Sequence, residues 1–491
     1  MRRMFFFAVL TAFLLSFPHP APAENASVKN MRLLKVVALG RHGVRPPTQS
    51  PETLASWSAR SWPDWDTPPG YLTARGAALI RAEWEGLREE LAFNGLLPAA
   101  ECPATGSVFV YADNEERTLA TARALLEGLA PGCGMEVFSL PERRDPVFHP
   151  VKSGFMPAPQ LSAQEKNELV RTLFAVHADV EKSVAELSSL LGPSPAMCMP
   201  GQASCTLEER PTNLNLPEPG ARAEVSLKGG LAMASTLAEI LLLESLEWPE
   251  KAQMIPAGTP VLLPQGPGTP VEQKAREIIL APRSDMPGTV PLPLSPRWKA
   301  VLPDGKGPVM VNPATALRLL PVHTKVQGAV QRFPAVAKQE GLPLLYLMAE
   351  ALAGTSPVKA ANKAQLVVFS GHDTNMVNIA GLLGLHWDNG PFPKDSTPPG
   401  SLLAFSLWET PQGRMVQASF LCQSLAAFLS TDPAVMRDAD LHHAQLILPG
   451  SLADSPAGPA LPLEEFLALV RGMAGSDLSA RLAELFAEKA G

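Results

Sequence analysis

Arginine, histidine and arginine fall within five residues at Arg41, His42 and Arg45, in the stretch "VVALGRHGVRPPTQSP" (36–51). An apolar run precedes them and a proline pair follows. A second stretch, "VFSGHDTN" (368–375), has the same form: apolar residues, a glycine, then His372 and Asp373. A third, "YADNEERTLAT" (111–121), carries Arg117 where strand character gives way to helix character. A guanidinium is a planar fork of donors that matches phosphate oxygens and stays charged at any relevant pH. Arg41 and Arg45 are close enough to aim at one anion, and Gly43 between them leaves room for backbone to approach it. With Arg41, Arg45, Arg117 and His372 holding phosphoryl oxygens, His42 has the chemistry to attack phosphorus and Asp373 to protonate the departing oxygen. That is covalent phosphoryl transfer with an electrostatic clamp and general-acid assistance.

These residues need elements to hold them. "LLKVVAL" (33–39), "SVFVYAD" (107–113) and "QLVVFSG" (365–371) read as buried strands, the first ended by Gly40. Helical periodicity runs through 73–93, through "EERTLATARALLEGL" up to Pro131-Gly132, and from Thr374 onward. "SLLAFSLWE" and "RMVQASFLC" predict an antiparallel hairpin turning at Pro411-Gln412-Gly413. Alternation of strands and helices at both ends of the chain predicts an α/β fold with a mostly parallel central sheet flanked by helices. In such sheets ligands bind beyond the carboxyl ends of strands, where both histidine motifs fall. Helices starting near Glu116 and Thr374 would add positive dipole ends that favour an anion.

The middle of the chain differs. Residues 151–245 read as mostly helical, for example "SLKGGLAMASTLAEILLLESL" with Leu227, Leu231, Leu237 and Leu241 on one stripe. This predicts an inserted α-helical cap domain. The expected organisation is an α/β domain in two parts, 28–150 and 351–491, with the cap over 151–350. Within the cap, residues 249–313 hold 14 of the 51 prolines, which predicts an extended arm or long loop.

Residues 1–23 read as a cleavable export signal: Arg2 and Arg3, the apolar "MFFFAVLTAFLLSF", then "APA" with cleavage after Ala23. The expected location is therefore periplasmic or secreted, with no stable membrane anchor. Losing two arginines and no acid takes the formal charge from −7 to −9. An acidic surface argues against nucleic acid and anionic lipid as partners, and makes a local arginine cluster more telling. Export permits disulfides. Cys198 and Cys205 close a short loop, Cys102 and Cys133 bracket a strand and a helix, and Cys422 is left over as a buried thiol.

"RHGVRPPT" together with "GHDTN" resembles the histidine acid phosphatases, branch 2 of the histidine phosphatase superfamily. "YLTARGAALI", "DNEERT" and "TPPG" (397–400) add to the likeness. Phosphoglycerate mutases of the simpler branch share only the Arg-His-Gly core. The match is nearest to the bacterial periplasmic 4-phytase and glucose-1-phosphatase group and spans about residues 30–245 and 315–430. The resemblance implies an α/β domain with an α-helical domain beside it, a phosphohistidine formed on His42, and a proton donor at Asp373. It implies phosphate binding by Arg41, Arg45, Arg117 and His372, substrate contacts by Thr48 and Glu239, and no metal or organic cofactor. The expected substrate is a small phosphate monoester, phytate first, with a sugar phosphate such as glucose-1-phosphate as the alternative. A catalytically inactive envelope-binding protein is the remote alternative. The chain departs from the group at Gln49, where bacterial phytases often carry lysine, and in its long 249–313 segment. It also lacks cysteines for the group's disulfide near the C-terminus.

Other polar features read as structural. "DADLHHAQ" (438–445) has no companion cluster and adjacent histidines point apart, which predicts a solvated face. His149, His177, His323 and His386 stand alone and are expected to be structural or exposed, with His323 opening a segment that resembles a pocket-side helix. There is no Walker loop, G-x-S-x-G, H-E-x-x-H or dinucleotide fingerprint.

Overall fold

The computed structural model describes residues 31–487, apart from 59, 61, 193–205, 250–310, 454, 456 and 457. The export signal, the Cys198–Cys205 loop and nearly all of the Pro-rich segment lie outside the described residues.

Eight strands form one mixed sheet: β1 (Arg32–Arg41), β2 (Val108–Ala112), β3 (Val137–Phe138), β6 (Leu366–Gly371), β7 (Leu402–Thr410), β8 (Gly413–Gln423), β9 (Leu441–Leu446) and β10 (Leu461–Pro462). Its order is β10-β8-β7-β1-β6-β2-β3, with β9 also on β8. The strands from β1 to β3 pair in parallel, while β7 to β10 add antiparallel neighbours. Val37, Leu39, Val367 and Phe369 are essentially inaccessible to solvent. Sheets covered on both faces favour such continuous apolar strands.

Helices α1 (Pro51–Trp57), α2 (Ala74–Phe93) and α3 (Glu116–Leu129) precede the middle region. Thr73 caps α2, its hydroxyl accepting from Gly76 N at 2.9 Å. Leu79, Ile80, Trp84, Leu87 and Leu91 then form the buried face of α2, which packs on α3. After the short α4 (Pro150–Ser153), helices α5 (Ala163–Leu191), α6 (Gly230–Glu247), α7 (Pro313–Leu319) and α8 (Pro321–Gln331) pack on one another. Their own apolar cluster contains Val184, Leu187, Leu237, Leu241 and Val322. The chain returns to the sheet through α9 (Pro334–Ala353), α10 (Lys359–Lys363) and α11 (Asp373–Leu383), with α9 packed on α11. Last come α12 (Leu425–Leu429), α13 (Pro433–Asp438) and α14 (Leu463–Ala487).

Two local readings need correction. The helical stripe expected from residue 226 begins only at Gly230. Ser226–Gly229 is strand β5, paired with β4 (Thr212–Asn215), so Leu227 sits on a hairpin. Gly229 has φ +98°, and a Cβ there would sit 1.8 Å from Pro211 O, so this corner accepts only glycine. Gly40 does not end β1, because the strand runs on through Arg41, which pairs with Gly371. Cys102 and Cys133 form a disulfide, and Cys422 is a buried thiol in β8.

Candidate active site

Three adjacent parallel strands deliver the site. The β1–β6 register pairs Arg41 with Gly371, and the β6–β2 register pairs Ser370 with Ala112. His42, His372 and Asp113 therefore leave the same sheet edge side by side. His42 N donates to Gly371 O at 3.1 Å and Asp113 N to Ser370 O at 3.0 Å, so pairing continues one step past the strands. The rings of His42 and His372 meet edge to face, centroids 5.6 Å apart. Helices α3 and α11 both start here. Arg117 is the second residue of α3, and His372 is the N-cap of α11, its N–H donating to Asn375 Oδ1 at 3.0 Å.

His42 is held in one tautomer. Its Nδ1 lies 2.9 Å from Gly43 O and so carries the proton, while Arg45 Nε points at Nε2 from 3.5 Å. The lone pair on Nε2 thus faces the guanidinium groups. Burial pushes His42 well below the ordinary histidine range, and Arg45, Arg117 and Arg41 push it further, so the ring is neutral. Gly43 does not serve an anion. Thr121 Oγ1 accepts from its N–H at 3.0 Å, and a Cβ there would lie 2.9 Å from Leu72 and 3.1 Å from Gly76 O. Its smallness lets the motif pack against α2, which corrects the expectation of room for a ligand.

The arginines are neutralised from inside. Arg41 contacts Glu239 and Thr397 O, and its Nη2 lies 3.3 Å from Asp373 Oδ2. Arg45 Nη2 is 3.5 Å from the same Glu239 Oε1. Glu239 comes from α6, so a carboxylate from the helical layer bridges two cations at the sheet edge. Burial would raise both Glu239 and Asp373, but Arg45 and Arg41 for the first, and Arg41 and the nearby His323 for the second, hold them below the usual carboxylate range. Asp373 is therefore ionised in the ligand-free site. Arg117 pairs with Glu115, and its Nη2 is 3.4 Å from His372 Nδ1. Arg41 Nε and Arg117 Nε are buried donors with no hydrogen-bond partner among the described residues. Thr48 is exposed at the rim, its methyl 3.5 Å from where a Cβ on Gly70 would stand, with Arg117 Nη1 3.9 Å from the same point.

Residues that looked isolated in the sequence join this centre. Asp113 accepts from both His372 Nε2 at 2.7 Å and His149 Nε2 at 2.9 Å. Burial would raise Asp113, yet the hydrogen bonds from His149 and His372 hold it well below the carboxylate range. His323, on α8, has Nε2 3.8 Å from Asp373 Oδ2 and Nδ1 3.3 Å from Ser235 Oγ. His149 and His323 are thus part of the site region rather than isolated residues. A single strand-to-helix junction at 113–117 supplies Asp113, Glu115 and Arg117. His386 is exposed and pairs with Asp395, and His177 is exposed on α5. His442 and His443 alternate on β9, His442 beside Gly390 and His443 3.5 Å from Glu90.

Two groups of histidine and carboxylate atoms converge closely enough to share an ion: Asp113, Glu115, His149, His372, and Glu239, His323, Asp373. In both, imidazole N–H groups or guanidinium groups already occupy carboxylate oxygens, and three arginines stand close by. The three guanidinium groups around His42 offer donors to an anion that displaces their carboxylate partners.

Such a cradle takes a small tetrahedral oxyanion, and with a neutral imidazole at its floor it defines an enzyme of phosphate esters. A family model described as the histidine phosphatase superfamily (branch 2) matches residues 32–178. Phytase AppA of Escherichia coli (strain K12) is 30% identical over 432 residues, 84% of this chain and 86% of its own. Glucose-1-phosphatase of Salmonella typhimurium is 31% identical over 234 residues, 47% of this chain and 55% of its own. The apo form of Hafnia alvei phytase superposes with a TM-score of 0.68 at 28% identity, covering 94% of this chain and 99% of that one. Its complex with myo-inositol hexakis sulphate gives 0.66 at 28% identity, covering 94% and 100%. The chain belongs to branch 2 of the histidine phosphatase superfamily. It is a phosphoric monoester hydrolase of the histidine acid phosphatase, phytase-like type.

Proposed function

We propose that this hydrolase works through a phosphohistidine on His42 and that its main substrate is phytate. The observation that carries the reading is the orientation of His42: proton on Nδ1 toward Gly43 O, lone pair on Nε2 toward Arg45, with Arg41 and Arg117 acting on the same ring. A phosphoryl group enters by displacing Glu239 from Arg41 and Arg45, which then hold its oxygens together with Arg117 and His372. Nε2 of His42 forms the N–P bond as the ester P–O bond breaks, and Asp373 gives its proton to the leaving oxygen. Asp373 then takes a proton from water, whose oxygen attacks phosphorus and releases His42. The arginines compensate the charge on the equatorial oxygens throughout.

Asp373 is ionised before substrate binds, so its proton must arrive with the substrate. Drawing Arg41 onto phosphate removes the cation that holds this carboxyl down, and a phosphate monoester below its second pKa of about 6 brings a proton with it. Activity is therefore expected to be greatest at acid pH. Glu239 and His323 come from the helical cap (151–350), and the phosphoryl centre from the two α/β parts (28–150 and 351–491). Glu239, once displaced from the arginines, and Thr48 are proposed to contact the rest of the substrate. The chain is proposed to be exported by residues 1–23 and to act in the periplasm or outside the cell. Among the described residues no helix is long and apolar enough to cross a membrane.

Phytate follows from the likeness to phytases, one of which binds myo-inositol hexakis sulphate. Gln49, an uncharged rim residue, and the similarity to glucose-1-phosphatase favour a sugar phosphate as the second reading. Comparing kcat/KM for phytate, glucose-1-phosphate and p-nitrophenyl phosphate tests the choice. A glucose-1-phosphate value well above that for phytate would overturn it, and no turnover of any of the three would indicate an inactive binding protein.

A further inference from the structure

The Asp113 carboxylate carries two imidazoles on a single oxygen. His372 Nε2 and His149 Nε2 both donate to Oδ2, at 2.7 and 2.9 Å, while Oδ1 accepts from Asn114 N at 2.9 Å. Each ring therefore has its proton on Nε2 and its lone pair on Nδ1. Nδ1 of His372 lies 3.4 Å from Arg117 Nη2, on the side of the arginine cradle. To donate to a phosphoryl oxygen, His372 must gain a second proton there and become an imidazolium, with Asp113 as its counter-ion. A carboxylate oxygen that already accepts from a second donor is a weaker partner for that cation.

We propose that His149 is a positioning residue that acts through Asp113, setting the strength of the Asp113–His372 contact and with it the grip of His372 on the phosphoryl group. The proposal rests on the reading of His372 as a phosphate-binding residue. His149 is the N-cap of α4, and the neighbouring Phe148 O accepts from Asn375 Nδ2 of α11 at 2.9 Å, so the His149 ring is held beside the His372 junction from a separate element. It stands tilted against the His372 ring, centroids 5.2 Å apart, and its Nε2 is 3.7 Å from Glu115 Oε1. The other titratable or charged groups facing the pair are Arg117 from α3, His42 past β1, and Asp145, which accepts from Tyr111 OH and Val147 N. Burial, partly offset by the Asp113 hydrogen bond, leaves His372 below the ordinary histidine range. Its protonation is thus sensitive to how much of Asp113 it can claim.

The test measures the inhibition constant of inorganic phosphate and kcat/KM for p-nitrophenyl phosphate against pH, in wild type and three variants. His149→Ala removes the competing donor. The pH at which phosphate affinity falls should rise by about half to one unit, so that phosphate binds roughly three- to tenfold tighter on that limb. His149→Asn, too short to reach Asp113, should shift the same way and provides the reading if the alanine variant does not fold. His149→Gln places an amide N–H near the position of Nε2 and should restore the wild-type profile. Superimposable profiles for wild type, alanine and asparagine would overturn the proposal, as would equal shifts in the alanine and glutamine variants. A change confined to a uniform loss of kcat would overturn it as well. Failure of the underlying reading is distinguishable, because a His372→Ala variant would then bind inorganic phosphate as tightly as wild type across the pH range.

Discussion

Substituting Asp373→Asn separates its two jobs. In the ligand-free site its carboxylate lies 3.3 Å from Arg41 Nη2. At an effective dielectric constant of about 20 such a pair attracts by roughly 5 kcal/mol before desolvation is counted. Desolvation offsets most of this, which leaves about 1–2 kcal/mol of net competition with an incoming anion. Asparagine abolishes that competition, so inorganic phosphate should bind about tenfold more tightly. Asparagine cannot give a proton, and general-acid catalysis is worth about 10²–10⁴-fold when the leaving oxygen needs it. Turnover of an alkyl phosphate such as phytate should fall by that factor. Phosphorylation by p-nitrophenyl phosphate, whose phenolate leaves unaided, should change by less than about tenfold. Hydrolysis of the phosphohistidine still needs Asp373 as base, so the variant should release a burst of about one nitrophenolate per chain and then slow. Rapid mixing with p-nitrophenyl phosphate, steady-state turnover of phytate and a phosphate titration read all three effects. Equal losses on both substrates, no burst and unchanged phosphate affinity would refute the assignment.

Glu239→Gln removes the anion bridging Arg41 and Arg45, and inorganic phosphate inhibition should tighten by about tenfold or more; a weaker inhibition would show that Glu239 organises the arginines instead. Replacing both Cys102 and Cys133 by serine opens a loop of 31 residues and should lower stability by about 3–4 kcal/mol in denaturant titrations at unchanged kcat. Glu340 is buried and pushed up to about 8, so its stability contribution is full below the unfolded value of 4.5 and lost as pH rises through 8. Glu340→Gln should therefore leave Tm unchanged at pH 4 and raise it at pH 8, where the gain in stability is on the order of 4 kcal/mol. His42 is shifted the other way: its stability contribution is full above the unfolded histidine value and lost as pH falls below it. Ligand-free His42→Asn should consequently lose less Tm than wild type on acidification from about pH 7 to 5.

The sequence made much of this centre legible because its motifs are local. A strand that ends in Arg-His-Gly-x-Arg announces both the position and the chemistry of Arg41, His42 and Arg45, and Gly-His-Asp does the same for residues 371–373. Sheet order decides the rest. Asp113 meets His149 and His372 because β2 lies next to β6, and residues 36 and 259 positions apart carry no common signal along the chain. His323 reaches Asp373 only because α8 packs against α6 and α11. Periodicity misread Leu227 because leucine spacing continues across the Gly229-Gly230 corner, where backbone geometry overrides it. At Gly43 a glycine beside a site suggests ligand approach, whereas packing against Leu72 and Gly76 uses up the space.

Trapping the covalent intermediate tests the central claim most directly. Enzyme mixed with radiolabelled p-nitrophenyl phosphate at acid pH, quenched within milliseconds into alkali and digested, should yield one labelled peptide containing residues 36–51, with an alkali-stable, acid-labile phosphoryl group on His42. His42→Ala should give none. Full label in that variant, or label on any other residue, would contradict the account.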